Sequence, residues 1–552
     1  MSGTAKPIPQ HQATATLVRS TVVVAAIRGI DIGLSFLVSV LLANRFGTSG
    51  QLDAFFLARR TTVGFADAIR KLVGHIVMPS VVSKIDSGEH LSIHGLPRRV
   101  YVFIALFVLL TLAGTLVPSA LVSAFAPGFT GERHDLTARM TAIMMPLLPL
   151  AVIGSLLVAV LQANRRYWLS EGTNIVQRAI LVFVLALAIP PLGIIAGAWT
   201  MLVSGIVGTA ILFVGAWPIV RRRPESLVDS QPADETEAGT EASTQTAPGV
   251  TPAVALGGGV AAAIVLNAYF QACSLLDFAV ASTTPAGGVA ALEYGARLVS
   301  LVPGLLMSSL NTVLQPELIR AMRHPDPAQA SAGLARFQRI AFFAQLPVSI
   351  GMMIGAQLMV TILFGHGKFD ASSIALATGT TAGYAAAAIF LAPMGAITLA
   401  IYADPRASSL RHLLIIAIGG ITIRGLMLAV AAPAFGAVGI AWAAAASTLA
   451  AFALAQFVAT RRFRDFDMIG QLVDFARSGL CGAAAAAGGY ALWYLAPVPG
   501  TTVTRLILLT AIGCVVVALY IGAAIVLHVP ELAKARAILG GIAAKKLKRR
   551  AA

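Results

Sequence analysis

Gly288-Val-Ala-Ala-Leu-Glu293-Tyr-Gly-Ala-Arg297 lies between two long apolar runs and carries two charges into a region that otherwise reads as lipid-buried. Glu293 and Arg297 are four residues apart, so a helix puts them on one face, where they can pair. A charge at membrane depth is costly and faces a cavity or a partner. A near-repeat of the stretch comes early in the chain, around residues 53–59.

The rest of the chain has the composition of a membrane protein. Of 552 residues, 57% are hydrophobic and only 12% charged, with a mean hydropathy of +0.82. A soluble domain carries about 25% charged residues. The expected fold is an all-α polytopic membrane protein, because the apolar runs suit helices rather than a barrel. No cleavable signal peptide is read: the first sixteen residues are polar, and the first apolar run is too long and interrupted. Fourteen spanning segments are expected, at 18–43, 53–82, 100–126, 136–162, 172–190, 193–220, 254–283, 289–318, 338–364, 371–401, 409–431, 435–459, 473–496 and 503–528. The second, with Arg59, Arg60, Asp67, Arg70, Lys71 and His75, would pass alone for a surface amphipathic helix. The loop charges alternate only if it spans.

With that count, 26 Lys and Arg fall on the loops and tails of one side, and four (Arg45, Arg133, Lys368 and Arg505) on the other. By the positive-inside rule both termini are cytoplasmic. The formal net charge of +16 is therefore mostly topology, and no nucleic-acid partner is expected. The terminal Lys-Lys-Leu-Lys-Arg-Arg suits anionic headgroups. Cys273, Cys481 and Cys514 stand singly in apolar segments and read as structural thiols, with no metal-ligand spacing.

The expected organisation is a cytoplasmic tail (1–17), a six-helix N-lobe (18–220), a disordered linker (221–252), a six-helix C-lobe (253–460), a final helix pair (461–528) and a basic tail (529–552). The linker is rich in Pro, Glu, Thr, Ser and Ala. The lobes echo one another. Gly50 precedes Arg59 by nine residues, as Gly288 precedes Arg297, and Pro79 matches Pro316. Residues 193–199 (Gly-Ile-Ile-Ala-Gly-Ala-Trp) match 436–442 (Gly-Ala-Val-Gly-Ile-Ala-Trp). The separations are 238, 237 and 243 residues. An even helix count per repeat keeps both in the same orientation, related by an axis along the membrane normal, with a substrate site between them.

The intramembrane charges gather in the leading helices of the two lobes. Arg28, Arg59, Arg60, Arg70, Lys71 and Arg297, with Asp53 and Glu293, are expected to line a wet, basic cavity for an anionic substrate. Arginine suits phosphate because its planar fork donates two hydrogen bonds. Asp31 and Asp277, like Asp53, leave a cation-coupled mechanism open. Arg139, Arg178 and Arg424 read equally well as snorkelling or structural groups. No enzymatic constellation and no Gly-Lys-Ser/Thr phosphate loop is present, so a non-enzymatic transporter without cofactor is expected, driven by membrane potential or a coupled cation.

Four ordered motifs resemble those of the MurJ/MviN lipid II flippases. They are Phe46-Gly47 followed by Asp53-Ala54-Phe55-Phe56; Leu292-Glu293-Tyr294-Gly295-Ala296-Arg297-Leu298 with Pro303-Gly304; Leu363-Phe364-Gly365-His366-Gly367-Lys368-Phe369; and Tyr402-Ala403-Asp404-Pro405-Arg406. The resemblance implies the two-lobed fold of the multidrug/oligosaccharidyl-lipid/polysaccharide exporter superfamily, with a cavity alternating between the two sides of the bacterial cytoplasmic membrane. It implies a last helix pair that forms a groove for an undecaprenyl tail, and transport roles for Asp53 and Arg297. The implied substrate is an undecaprenyl-pyrophosphate-linked saccharide, lipid II first. The chain departs from the pattern at Ala296, where the family has aspartate. Another polyprenyl-linked saccharide, a drug or metabolite exported by the same superfamily, or a scaffold for cell-envelope synthesis proteins are the other readings.

Overall fold

In lipid a backbone segment must satisfy its own polar groups, which confines spanning segments of this length to helices. The structure, a computed structural model, describes residues 10–86, 98–164, 166–187, 193–221, 252–404, 409–463, 465–497 and 500–532. The expected linker (222–251 of it), the first nine residues and the basic tail from 533 lie outside the described residues.

Fifteen helices run through the described residues, without a strand. The first eight form the N-lobe: α1 (Gln10–Phe46), α2 (Gly50–Asp86), α3 (Arg98–Leu116), α4 (Pro118–Phe125), α5 (Gly131–Met144), α6 (Leu147–Ala163), α7 (Tyr167–Leu187) and α8 (Ile195–Arg221). Five form the C-lobe: α9 (Pro252–Ala281), α10 (Gly288–Met322), α11 (Pro327–Phe364), α12 (Ala371–Ala403) and α13 (Ser409–Arg462). The last two, α14 (Met468–Leu495) and α15 (Thr502–Val526), pack against α11.

These elements are compatible with fourteen spans. The third expected segment is bent by 99° between α3 and α4, where Pro118 begins the new helix. The fourth divides into α5 and α6 at Met145-Pro146. Conversely, α13 holds two expected segments in one continuous run, turning at Gly436 (φ 56°, ψ −139°). Among the described residues ten runs are long and apolar enough to cross a membrane, with α5 and α6 together as one of them, and the bent α3–α4 pair brings the number to eleven when taken as one span. α2 is a single unbroken 37-residue helix, although its charges keep it from qualifying on hydropathy alone.

Glycines with positive φ occupy equivalent junctions of the two lobes. Gly47 and Gly287 precede α2 and α10, Gly131 and Gly367 stand at the entries to α5 and α12, and Gly193 and Gly436 precede the last span of each lobe. Only glycine adopts this left-handed backbone without penalty. The pairing gives a backbone reason for the sequence echo at 193 and 436.

The lobes meet at one end of the bundle, where α1 ends and α2 begins. Phe36 and Phe56 of the N-lobe pack with Tyr294 and Phe364 of the C-lobe, and the Phe56–Tyr294 rings meet edge-on at 5.7 Å. Tyr294 is fully buried. Around this plug the Lys368 N–H donates to the Asn44 carbonyl at 2.9 Å, the Thr48 and Ser373 hydroxyls share a 2.8 Å hydrogen bond, and the Gly128 N–H donates to Ser282 at 3.0 Å. This end is sealed by apolar packing and backbone hydrogen bonds together.

Candidate functional site

Nine residues inward from the start of α2 and α10 stand Arg59 and Arg297. At 1.5 Å rise per residue each lies about 14 Å along its helix from the helix start, close to half the thickness of a hydrocarbon layer of about 30 Å. The two helices face one another here. Glu293 pairs with Arg59 of the opposite lobe at 3.2 Å. Within the described residues, the carboxylate thus has its close ion pair across the lobe junction and not with Arg297, its neighbour one turn along. Helical spacing sets a shared face, and the opposed helix supplies a nearer cation.

Arg297 turns instead to neutral groups on α1. It donates to the Ser39 hydroxyl at 3.2 Å and to the Ser35 carbonyl at 3.4 Å. Arg60 also crosses the junction, donating to Ser274 on α9 and stacking its guanidinium 5.0 Å from the Phe278 ring. One turn further, Gln271 donates to the Gly64 carbonyl at 2.8 Å. Among the described residues, Arg60 and Arg297 are therefore junction arginines held by neutral donor–acceptor contacts and not by a carboxylate within salt-bridge reach.

Beyond this level the N-lobe charges pair within their own lobe. Arg178 pairs with Asp31 at 3.4 Å. Arg28 pairs with Glu171 at 2.8 Å, and Arg70 with Asp67 at 2.8 Å. Arg28 and Arg70 are exposed, at 65% and 48% of the side chain. The Lys71 side chain lies outside the described residues. Lobe–lobe hydrogen bonds among the described residues run from the seal to Gly64, and the exposed Arg28 and Arg70 stand further along the same helices. Two cavities flank it. One of about 540 Å³ in the N-lobe is lined by polar groups including Arg70, Glu171, Asn174 and Gln177. One of about 510 Å³ in the C-lobe includes Ser274, Ala296, Tyr384 and Arg424.

Two of the aspartates singled out in the sequence have both carboxylate oxygens engaged by protein groups. Asp53 is 1% exposed, and its carboxylate accepts the N–H groups of Gly287 (2.6 Å) and Ala290 (2.7 Å). A carboxylate at a helix N-terminus satisfies orphan donors and meets the positive end of the dipole. Here the helix is α10, in the other lobe. Asp277 is 4% exposed and forms a bidentate pair with Arg424. Sequence reasoning missed the neutral partners Ser35, Ser39, Ser274 and Gln271. Their signal is small polar residues on otherwise apolar helix faces.

The family model described as "Lipid II flippase MurJ" matches residues 42–513. A "Probable lipid II flippase MurJ" of Rhizobium meliloti (strain 1021) is 26% identical over 367 residues, covering 63% of this chain and 64% of that protein. One of Rhizobium tropici is 23% identical over 350 residues, covering 61% of each. The match thus spans just under two thirds of these relatives' length. Among solved structures, "Lipid II flippase MurJ, inward closed conformation" superimposes with a TM-score of 0.67 at 16% identity, over 91% of this chain and 98% of that one. An inward-facing multidrug resistance MATE family transporter of the MOP superfamily gives 0.59 at 13% identity, over 81% of this chain and 98% of that one. At these identities the structural likeness is one of fold.

Proposed function

The chain belongs to the lipid II flippase MurJ family, and from that premise we propose that it carries lipid II, a polyprenyl-pyrophosphate-linked saccharide, from the inner to the outer leaflet of the bacterial cytoplasmic membrane. A pyrophosphate cannot cross about 30 Å of hydrocarbon unaided. The observation that carries the reading is Arg297, an arginine near mid-membrane whose hydrogen-bond partners are Ser39 and the Ser35 carbonyl. A phosphate oxygen offers a stronger, charge-assisted acceptor than either. Arg60, whose contacts among the described residues include Ser274 and the Phe278 ring, adds a second such group from the opposite lobe.

With both termini cytoplasmic, the sealed end faces outward and the exposed Arg28 and Arg70 face the cytoplasm. The headgroup then enters past Arg28 and Arg70, and its pyrophosphate reaches Arg60 and Arg297. Rocking of the lobes parts the seal and closes the cytoplasmic end. The polyprenyl tail stays in lipid, along the groove of about 840 Å³ between α11, α12, α14 and α15 that Leu358, Ile374, Trp493 and Leu508 line. The drive is the membrane potential, worth about 2.3 kcal/mol per charge per 100 mV, or a coupled cation. A drug exporter would call for a more aromatic and acidic junction than Arg59, Arg60, Arg178 and Arg297 provide.

The test is replacement of the resident lipid II flippase in depleted cells, with accumulation of labelled precursor as the readout. The wild-type chain should clear the precursor. Failure at normal expression would move the substrate to another polyprenyl-linked saccharide.

A further inference from the structure

Asp277 on α9 and Arg424 in the first span of α13 are 147 residues apart and meet in the interior of the C-lobe. The Arg424 Nε donates to one carboxylate oxygen at 2.8 Å and a terminal nitrogen to the other. The remaining terminal nitrogen donates to Ser447 in the second span of α13 at 2.8 Å. Tyr384 on α12 lines the same cavity as this pair. Asp277 and Arg424 are 4% and 8% exposed, and both border the C-lobe cavity.

This is the arrangement that a cation bound at Asp277 would have to break. A buried carboxylate can attract a monovalent cation only while its oxygens have no closer positive partner. Here both oxygens are engaged by one planar fork, the geometry in which charge-assisted hydrogen bonds are strongest. An incoming ion would displace that fork and strand a guanidinium in an apolar interior, which is the costly outcome for a buried pair. The fork is also covalently tethered at contact distance, so it competes at a high effective concentration that no dissolved ion matches.

We propose that Arg424 is the resident counter-cation of the C-lobe. It holds α9 to both spans of α13, and it leaves Asp277 unavailable to sodium or another monovalent metal cation throughout the cycle. The lobe then moves as a body whose charge is balanced from within. Any cation coupling in this chain runs through a group other than Asp277. Because the proposal concerns cation occupancy and not substrate, it stands or falls separately from the lipid II assignment.

The test is thermal unfolding of the purified full chain in detergent, in sodium chloride and in choline chloride at matched ionic strength. The wild-type chain should melt at the same temperature in both. Arg424→Ala vacates the space beside Asp277, and its melting temperature should rise by a few degrees in sodium relative to choline. Arg424→Ala combined with Asp277→Asn should lose that difference. A sodium-specific stabilisation of the wild-type chain that Asp277→Asn abolishes would overturn the proposal, whereas equal melting of the wild-type chain in both salts, which needs no variant to fold, supports it. An Arg424→Ala protein that folds and ignores sodium would overturn it too, because the arginine would then be masking no cation site.

Discussion

The Asp53 carboxylate in the N-lobe accepts the backbone N–H of Gly287 at 2.6 Å, so one lobe caps the second helix of the other. A second hydrogen bond, from Ala290 at 2.7 Å, completes the cap. The sealed end of the junction is thereby held by a contact that must separate when the lobes part.

Removing that cap should loosen the seal without unfolding either lobe. Hydrogen bonds to a charged group contribute about 1.5–3 kcal/mol each. Asp53→Ala should weaken the sealed state by about 2–3 kcal/mol. The Thr48 and Ser373 hydroxyls lie 2.8 Å apart across the same seal. Cysteines at these two positions, with the exposed Cys514 replaced by serine, should cross-link efficiently in the parent and far less with Asp53→Ala added.

The Arg59–Glu293 pair ties the lobes a further turn in, at 3.2 Å. Either single charge change, Arg59→Glu or Glu293→Arg, sets like charges opposite one another and should reduce the same cross-link. The double exchange should restore much of it, with a coupling energy of about 1–3 kcal/mol. Were the pairing within α10, between Glu293 and Arg297, exchange with Arg59 would restore nothing.

Much of this architecture is legible in the sequence, for physical reasons. Hydropathy exposes most spans because lipid demands it, and α2 follows from loop-charge alternation despite its own charges. Pro118 and Pro146 stand at the breaks that divide the third and fourth segments, where a proline's missing N–H interrupts the helical ladder. The site is less legible. Spacing puts Glu293 and Arg297 on one face, but it cannot show that Arg59, 234 residues earlier, stands closer. Nor can a sequence show that Asp53 spends its carboxylate on backbone N–H groups, which have no side-chain signature.

The glycine turns make a separate prediction about backbone. Gly436 has φ 56°, and nothing lies within 4 Å of the place a Cβ would take. With ψ −139° its backbone lies outside the left-handed helical well, in a region that favours glycine, so Gly436→Ala meets no clash and costs the backbone strain alone, about 1–3 kcal/mol. Gly395 also has open space but an ordinary helical backbone inside α12. Gly395→Ala should be neutral or stabilising by up to about 1 kcal/mol. Thermal unfolding of the two variants in detergent should separate them in opposite directions.

At the lobe junction Arg297 is the group proposed to receive the pyrophosphate. That role is tested most directly in proteoliposomes that hold the purified chain and fluorescent lipid II, with the fraction reaching the far leaflet followed over time. Arg297→Ala removes a charge-assisted fork worth about 1.5–3 kcal/mol, so the rate should fall about 10- to 150-fold, with Arg297→Lys between the two. Transport by Arg297→Ala at the wild-type rate would contradict the assignment.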